Sequence, residues 1–144
     1  MSDGGIIMSD VNDVEEEVLT KAYSLVKEFL DAVNRMDFEL LKSRFDISKA
    51  VYEEIQVELD ETFRDFGKEV NLSQPSLDIA FTDINHGEPF AIYRLRSEDG
   101  SYADGCFGIE CLLWNNSKMT ELTARFYMVK KGSDFRLEYR CMVC

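Results

Sequence analysis

The sequence predicts an α+β domain in which N-terminal helices pack on a curved antiparallel sheet of about five strands. Three observations carry this expectation. Apolar residues recur at helical spacing up to about residue 70 and alternate in twos after it. Turn residues then punctuate the chain at intervals suited to a meander. Charge divides at the same point: residues 1–70 carry 18 acidic and 8 basic side chains, whereas residues 71–144 carry 10 and 8. Helices followed by strands, rather than alternating with them, mark an α+β layer fold. Residues 1–10 read as a loose tail and residues 11–144 as one domain.

The first helix is expected to start at Asp13-Val14-Glu15-Glu16, with Asp13 as cap and Glu16 three residues on. Glu15, Glu16 and Glu17 then fall in the first turn, where the helix dipole favours anions. Val14, Val18, Ala22, Val26, Phe29, Leu30 and Val33 form one apolar stripe. Asn34-Arg35-Met36-Asp37 breaks it. Asp37 caps a short helix that buries Phe38, Leu41 and Phe45. Ser48 caps a third helix from about Lys49 to Val70, with Tyr52, Ile55, Leu59, Phe63, Phe66 and Val70 inward. Its outer face holds Glu53, Glu54, Glu58, Asp60, Glu61 and Asp65, with Arg64 and Lys68 as its bases.

Leu77, Ile79 and Phe81 alternate with Asp78, Ala80 and Thr82, which predicts the first strand. Asn85-His86-Gly87 supplies a turn into a second strand at Phe90–Arg96, and Glu98-Asp99-Gly100-Ser101 supplies another. A third strand is expected at about Gly105–Trp114, a fourth at Met119–Lys130 and a fifth at Phe135–Val143. Three sets share a parity and are assigned inward: Phe107, Ile109, Cys111 and Leu113; Leu122, Ala124, Phe126 and Met128; Phe135, Leu137, Tyr139, Cys141 and Val143. Glu110, Glu121, Arg125, Arg136, Glu138 and Arg140 make a mixed-charge outer face. Pro75 and Pro89, the only prolines, fall at strand edges.

The run Val26-Lys27-Glu28-Phe29-Leu30-Asp31-Ala32-Val33-Asn34-Arg35-Met36-Asp37-Phe38-Glu39-Leu40-Leu41 resembles the start of nuclear transport factor 2-like domains. There a long helix ends in a short turn of a small residue, an aspartate and a hydrophobic residue. The resemblance implies a curved sheet wrapped around the long helix as a cone. Its cone interior hosts small-molecule binding and isomerase- or dehydratase-type chemistry. The chain departs from that order in having no strand between its second and third helices. A cystatin-like variant, or a small bacterial immunity protein that neutralises a toxin, is similar in layout.

Several site types are weighed and set aside. Cys106-x4-Cys111 and Cys141-x2-Cys144 have metal-like spacing, but positions five or three apart on a strand face opposite sides, so no zinc site is expected. His86, the only histidine, lies in a polar turn without a nucleophile at useful spacing. Phosphate loops, nucleophile elbows and paired metal-binding histidines are absent from the sequence. Asp99-Gly100-Ser101-Tyr102-Ala103-Asp104-Gly105 lacks the closing Glu of a calcium loop and reads as a hairpin connection. The inward positions are apolar, Tyr139 excepted, so no catalytic residue and no cofactor is expected.

Composition sets the partner class. A net charge of −12 repels nucleic acid and anionic membrane and steers in basic proteins, though charge also serves solubility alone. Met1–Asp10 lacks the basic start of a secretory signal, and Met-Ser-Asp recurs at Met8, a second candidate start. The chain therefore reads as cytoplasmic, its cysteines as thiols, and Asn71-Leu72-Ser73 and Asn115-Asn116-Ser117 as bare. The candidate partner surface is Glu53, Glu54, Glu58, Asp60, Glu61 and Asp65. Glu54-Glu58 and Glu61-Asp65 are like-charge pairs at four-residue spacing, each costing some tenths of a kcal/mol, roughly, which a face built only for solubility could avoid. The expected function is an acidic, non-enzymatic immunity protein for a basic, nuclease-type toxin. The alternative is a small-molecule carrier or acid/base enzyme using the cone interior. Oligomeric state stays open.

Overall fold

The computed structural model describes residues 14–63, 70–81 and 89–144. The expected tail, the Asp13 cap, Arg64, Asp65, Phe66 and Lys68, and the Asn85-His86-Gly87 turn lie outside the described residues. Helix α1 spans Glu16–Asn34 and its cap position is Glu15, two residues later than the expected Asp13. Val14, just before that cap, is buried, and with Leu19 it occupies the paired positions of a hydrophobic staple. Ala22, Leu25, Val26, Phe29, Leu30, Ala32 and Val33 are the buried positions of α1, close to the expected stripe.

α1 ends in a tight closure. Met36 takes a left-handed φ of 54°, and Asp37 N–H and Met36 N–H donate to Ala32 O and Val33 O at 2.9 and 3.0 Å, the paired bonds of a Schellman end. Asp37 then turns from stop to start: its Oδ1 accepts from Leu40 N–H at 3.1 Å and caps α2, Phe38–Phe45. Ser48 Oγ accepts from Val51 N–H at 3.2 Å and opens α3, Lys49–Phe63. Both caps were legible as residue types at the right spacing.

The strand expected to start at Leu77 is not formed over the described residues to Phe81, and Thr82 lies outside them. Leu77–Ala80 is a single helical turn, α4, with Ile79 N–H and Ala80 N–H both bonded to Ser76 O. Ala80 is buried and Leu77 is 64% exposed, the reverse of the predicted alternation. The first strand is instead β1, Leu72–Ser73. Asn34 clamps it to α1: its Oδ1 accepts from Leu72 N–H at 2.7 Å and its amide donates to Leu72 O at 2.8 Å. Tyr23 OH donates to Pro75 O at 2.6 Å. These bonds hold 71–75 flat across the helix, and Pro75 with Ser76 then favours a turn start over a strand.

β2 (Phe90–Arg96), β3 (Tyr102–Asn115), β4 (Lys118–Lys131) and β5 (Asp134–Val143) form the meander, all antiparallel. β1 and β2 share one edge of β3, and β5 is the opposite edge. β3 starts at Tyr102, three residues earlier than expected, because the bulge opposite Arg94–Arg96 is absorbed within it, where Gly105 takes a φ of 70°. Asn116 and Ser117, with φ of 52° and 68°, make the two-residue β3–β4 turn.

A second bulge corrects the inward assignment of β5. Phe126 pairs with Tyr139 and Arg125 with Cys141, so Arg140 is an extra residue. Side-chain parity inverts past it. Met142, not Cys141 or Val143, is buried there. The inward sets of β3 and β4 are buried as expected.

The curled sheet closes around Phe29. Its ring stacks on Tyr139 at 5.4 Å and meets Phe126 and Phe45 edge-on at 5.2 and 5.4 Å. On the outer face Gly108 lies beneath Tyr93, and a methyl at Gly108 would overlap that ring. Among the described residues no helix is long and apolar enough to cross a membrane.

Two substitutions test this packing. Phe126→Asp would bury an unpaired charge, and we expect loss of near-ultraviolet dichroism and of a cooperative urea transition; a native transition would mean the sheet faces are inverted. Gly108→Ala should destabilise by about 1 kcal/mol by displacing Tyr93. In a Tyr93→Ala background the same change should be nearly neutral in urea melts, and an undiminished cost there would place the conflict elsewhere.

Candidate functional site

The acids of α3 do not form one outward plane. Successive residues turn by about 100° around a helix, so Glu54, Glu58 and Glu61 line one flank while Glu53 and Asp60 line the other. Val57, 56% exposed, projects between them. Ile55, Leu59 and Phe63 are buried beneath, whereas Tyr52, expected to be buried, is only half-buried and packs on Phe38 at 5.1 Å. Asp65 lies outside the described residues.

Each flank borders a cleft. Asp60 joins Gln56, Val33, Asn34 and Met36 around one of about 250 Å³. Glu54 and Glu58 face Tyr139, Arg140 and Cys141 across another of about 170 Å³, closed by Val51 and Met142. Glu58 is half-buried there and its Oε2 accepts from Thr62 Oγ1 at 3.0 Å. Burial first, and then the charges of Cys141, Glu54 and Glu58, pushes the Tyr139 hydroxyl well above the ordinary tyrosine range. Arg140 is drawn to the other side of the strand, its guanidinium lying 4.5 Å over the Tyr127 ring. Opposite the carboxylates the sheet therefore places the Tyr139 phenol, with the Arg140 guanidinium engaged by the Tyr127 ring.

The remaining sequence candidates are scattered. All four cysteines are free thiols; Cys111 is buried, Cys106 and Cys141 are half-buried and Cys144 is exposed. Burial pushes the Cys111 thiol upward, so it is a poor nucleophile. Among the described residues no cluster of His, Cys, Asp or Glu is arranged to hold a metal ion. Asp99 Oδ1 accepts from Ser101 N–H at 2.9 Å and Ser101 Oγ at 2.6 Å. Those bonds hold its carboxyl below the usual range and lock the turn. His86 lies outside the described residues. A further cleft, of about 460 Å³, runs along the end of the sheet past Thr62, Met119, Leu122 and Cys144.

Sequence reasoning identified the acids but not their meeting with Tyr139. Tyr139 stood out as the polar residue in an inward apolar set, and that was the available signal. Its approach to Glu54 and Glu58 depends on how α3 crosses the edge strand, which no local pattern encodes.

The raised Tyr139 ionisation has a stability consequence. The folded chain keeps this proton to higher pH than the unfolded chain, so stability is unaffected below the unfolded value of about 10 and falls as pH rises beyond it. Tyr23 and Tyr93 are shifted upward too, chiefly by burial. Tyr139→Phe should thus lose less urea stability than wild type between about pH 8 and about pH 11. Equal losses in the two proteins would show that the hydroxyl is solvated. Comparison of the chain with protein-family models, curated proteins and solved structures finds no match, so the site rests on its own geometry.

Proposed function

We propose that this chain is a non-enzymatic binding protein whose acidic third helix engages a basic protein, acting in the cytoplasm as an immunity protein against a cationic, nuclease-type bacterial toxin. One observation carries the reading. Elsewhere cations sit on carboxylates: Lys27 on Asp31 at 3.1 Å, Arg44 on Glu28 at 2.9 Å, Lys21 on Asp134 at 3.1 Å and Arg136 on Asp46 at 3.2 Å. Among the described residues no cation lies within ion-pair distance of Glu53, Glu54, Glu58, Asp60 or Glu61. Negative charge concentrated with no counterion among the described residues favours fast capture of a cationic surface. A nuclease must present such a surface to hold phosphates, and a carboxylate wall can occupy it by charge mimicry.

The interior supports a role at the surface. Phe29, Phe45 and Phe126 are at most 2% exposed, so the hollow of the sheet is filled by side chains. A nuclear transport factor 2-like carrier or isomerase would need an open pocket in that hollow, apolar for the most part and with a few placed polar groups.

Affinity capture from the native host should recover a basic protein, eluted by salt. Association of that protein with the chain, followed by stopped flow, should slow about tenfold when Glu54, Glu58 and Glu61 are changed to Gln, and the gap should close near 1 M salt, where the screening length is ~3 Å. Gln preserves the Thr62 bond and the fold. Equal rates and flat salt profiles would reduce the face to a solvated surface.

A further inference from the structure

The edge strand beside the acidic wall is itself unpartnered. Among the described residues β5 pairs only with β4. Among the described residues no backbone group of β5 bonds to a loop or helix, and Phe135 N–H turns to its neighbour, Asp134 Oδ1, at 2.8 Å. A strand edge leaves every second N–H and C=O pointing outward, a ready template for another extended chain. Inside the curl α1 packs on β5 through the Phe29–Tyr139 stack, while at its rim the helices reach β5 through two exposed ion pairs, Lys21–Asp134 and Arg136–Asp46, of the kind worth at most about 1 kcal/mol. Farther along, the cleft bounded by Glu54, Glu58 and Tyr139 separates α3 from the strand.

We infer that β5 receives an extended, lysine- or arginine-bearing segment of the basic partner as an added strand, whose end beside Tyr139 directs a cationic side chain at Glu54 and Glu58. This rests on the functional reading above and specifies how the partner is held. Main-chain bonds to the edge supply affinity, and the acidic wall selects a cationic sequence. Charge argues against a second copy as occupant, since each chain carries −12 and the same acidic wall would face its twin. Six regular pairs, from Lys131–Asp134 to Phe126–Tyr139, precede the Arg140 bulge. They set the register available to the incoming strand, whose end at Tyr139 meets the cleft of Glu54 and Glu58 where the bulge begins.

The test uses the full chain and a fluorescent peptide of alternating Lys and Val, with three controls: N-methyl groups on alternate residues, Glu in place of Lys, and the Glu54→Gln/Glu58→Gln chain. We expect saturable anisotropy with the Lys peptide, about tenfold weaker binding to the double variant, and none with the N-methylated or Glu peptides. Hydrogen exchange at β5 amides should slow by about tenfold on binding. If the Lys and N-methylated peptides bind alike, or β5 exchange is unchanged, the edge is not the site. A basic protein captured from the host without β5 protection would leave the functional reading standing and overturn this one alone. Failure of every basic probe and of capture would overturn both. Concentration-dependent dimers with protected β5 amides would assign the edge to a second copy and overturn the proposed occupant.

Discussion

Phe29 is the contact on which the rest of the architecture depends. One ring on α1 touches Phe45 of α2, Phe126 of β4 and Tyr139 of β5, tying two helices and two strands at a single point. Burying such a ring contributes about 1.5–3 kcal/mol before its edge-to-face geometry adds its share. A flat sheet could not bring β4 and β5 around it. The bulges opposite Arg94–Arg96 and at Arg140 supply extra local twist. The curvature and the aromatic centre are therefore one requirement seen from two sides.

Features governed by short-range chemistry were legible in the sequence, while those governed by tertiary geometry were not. Asp37 and Ser48 cap helices because a short oxygen-bearing side chain three residues before a free N–H can hardly do otherwise there. The inward sets of β3 and β4 follow from parity alone. Parity also misassigned Cys141 and Val143, since one inserted residue flips every position beyond it and nothing near Arg140 announces the insertion. Leu77–Thr82 failed for another reason. Its alternation is genuine, but β1 and β2 already occupy the edge of β3 to which a strand there would be added. The Asn34 clamp on Leu72 likewise joins residues too far apart in sequence for any local pattern.

The site divides along the same line. Charge on α3 could be read from composition and spacing, because solvent-facing residues owe little to their neighbours. Its division into two flanks could be read as well, by counting turns, but its setting could not. Glu54 and Glu58 take their setting from Tyr139 and β5 across the cleft, and that juxtaposition exists only once β5 has been threaded past α3.

The energetics explain how such a surface is tolerated. Like charges four residues apart cost about 0.2–0.5 kcal/mol per pair. Ile55, Leu59 and Phe63 beneath them are at most 5% exposed, each contributing about 1.5–3 kcal/mol. The helix is held by its buried side, so the loss on its outer side is roughly a tenth of what secures it. Stability accordingly places little constraint on residues 53, 54, 60 and 61, whereas Glu58 is half-buried and accepts from Thr62 Oγ1. Lysines could be interspersed there at no cost to the fold, as they are in α1, where Lys27 answers Asp31. On the proposed reading, the acids at these positions answer a cationic partner rather than the fold. The acids stand beside a strand that, among the described residues, pairs only with β4, and the proposed cationic strand would find both its backbone and its side chains matched there.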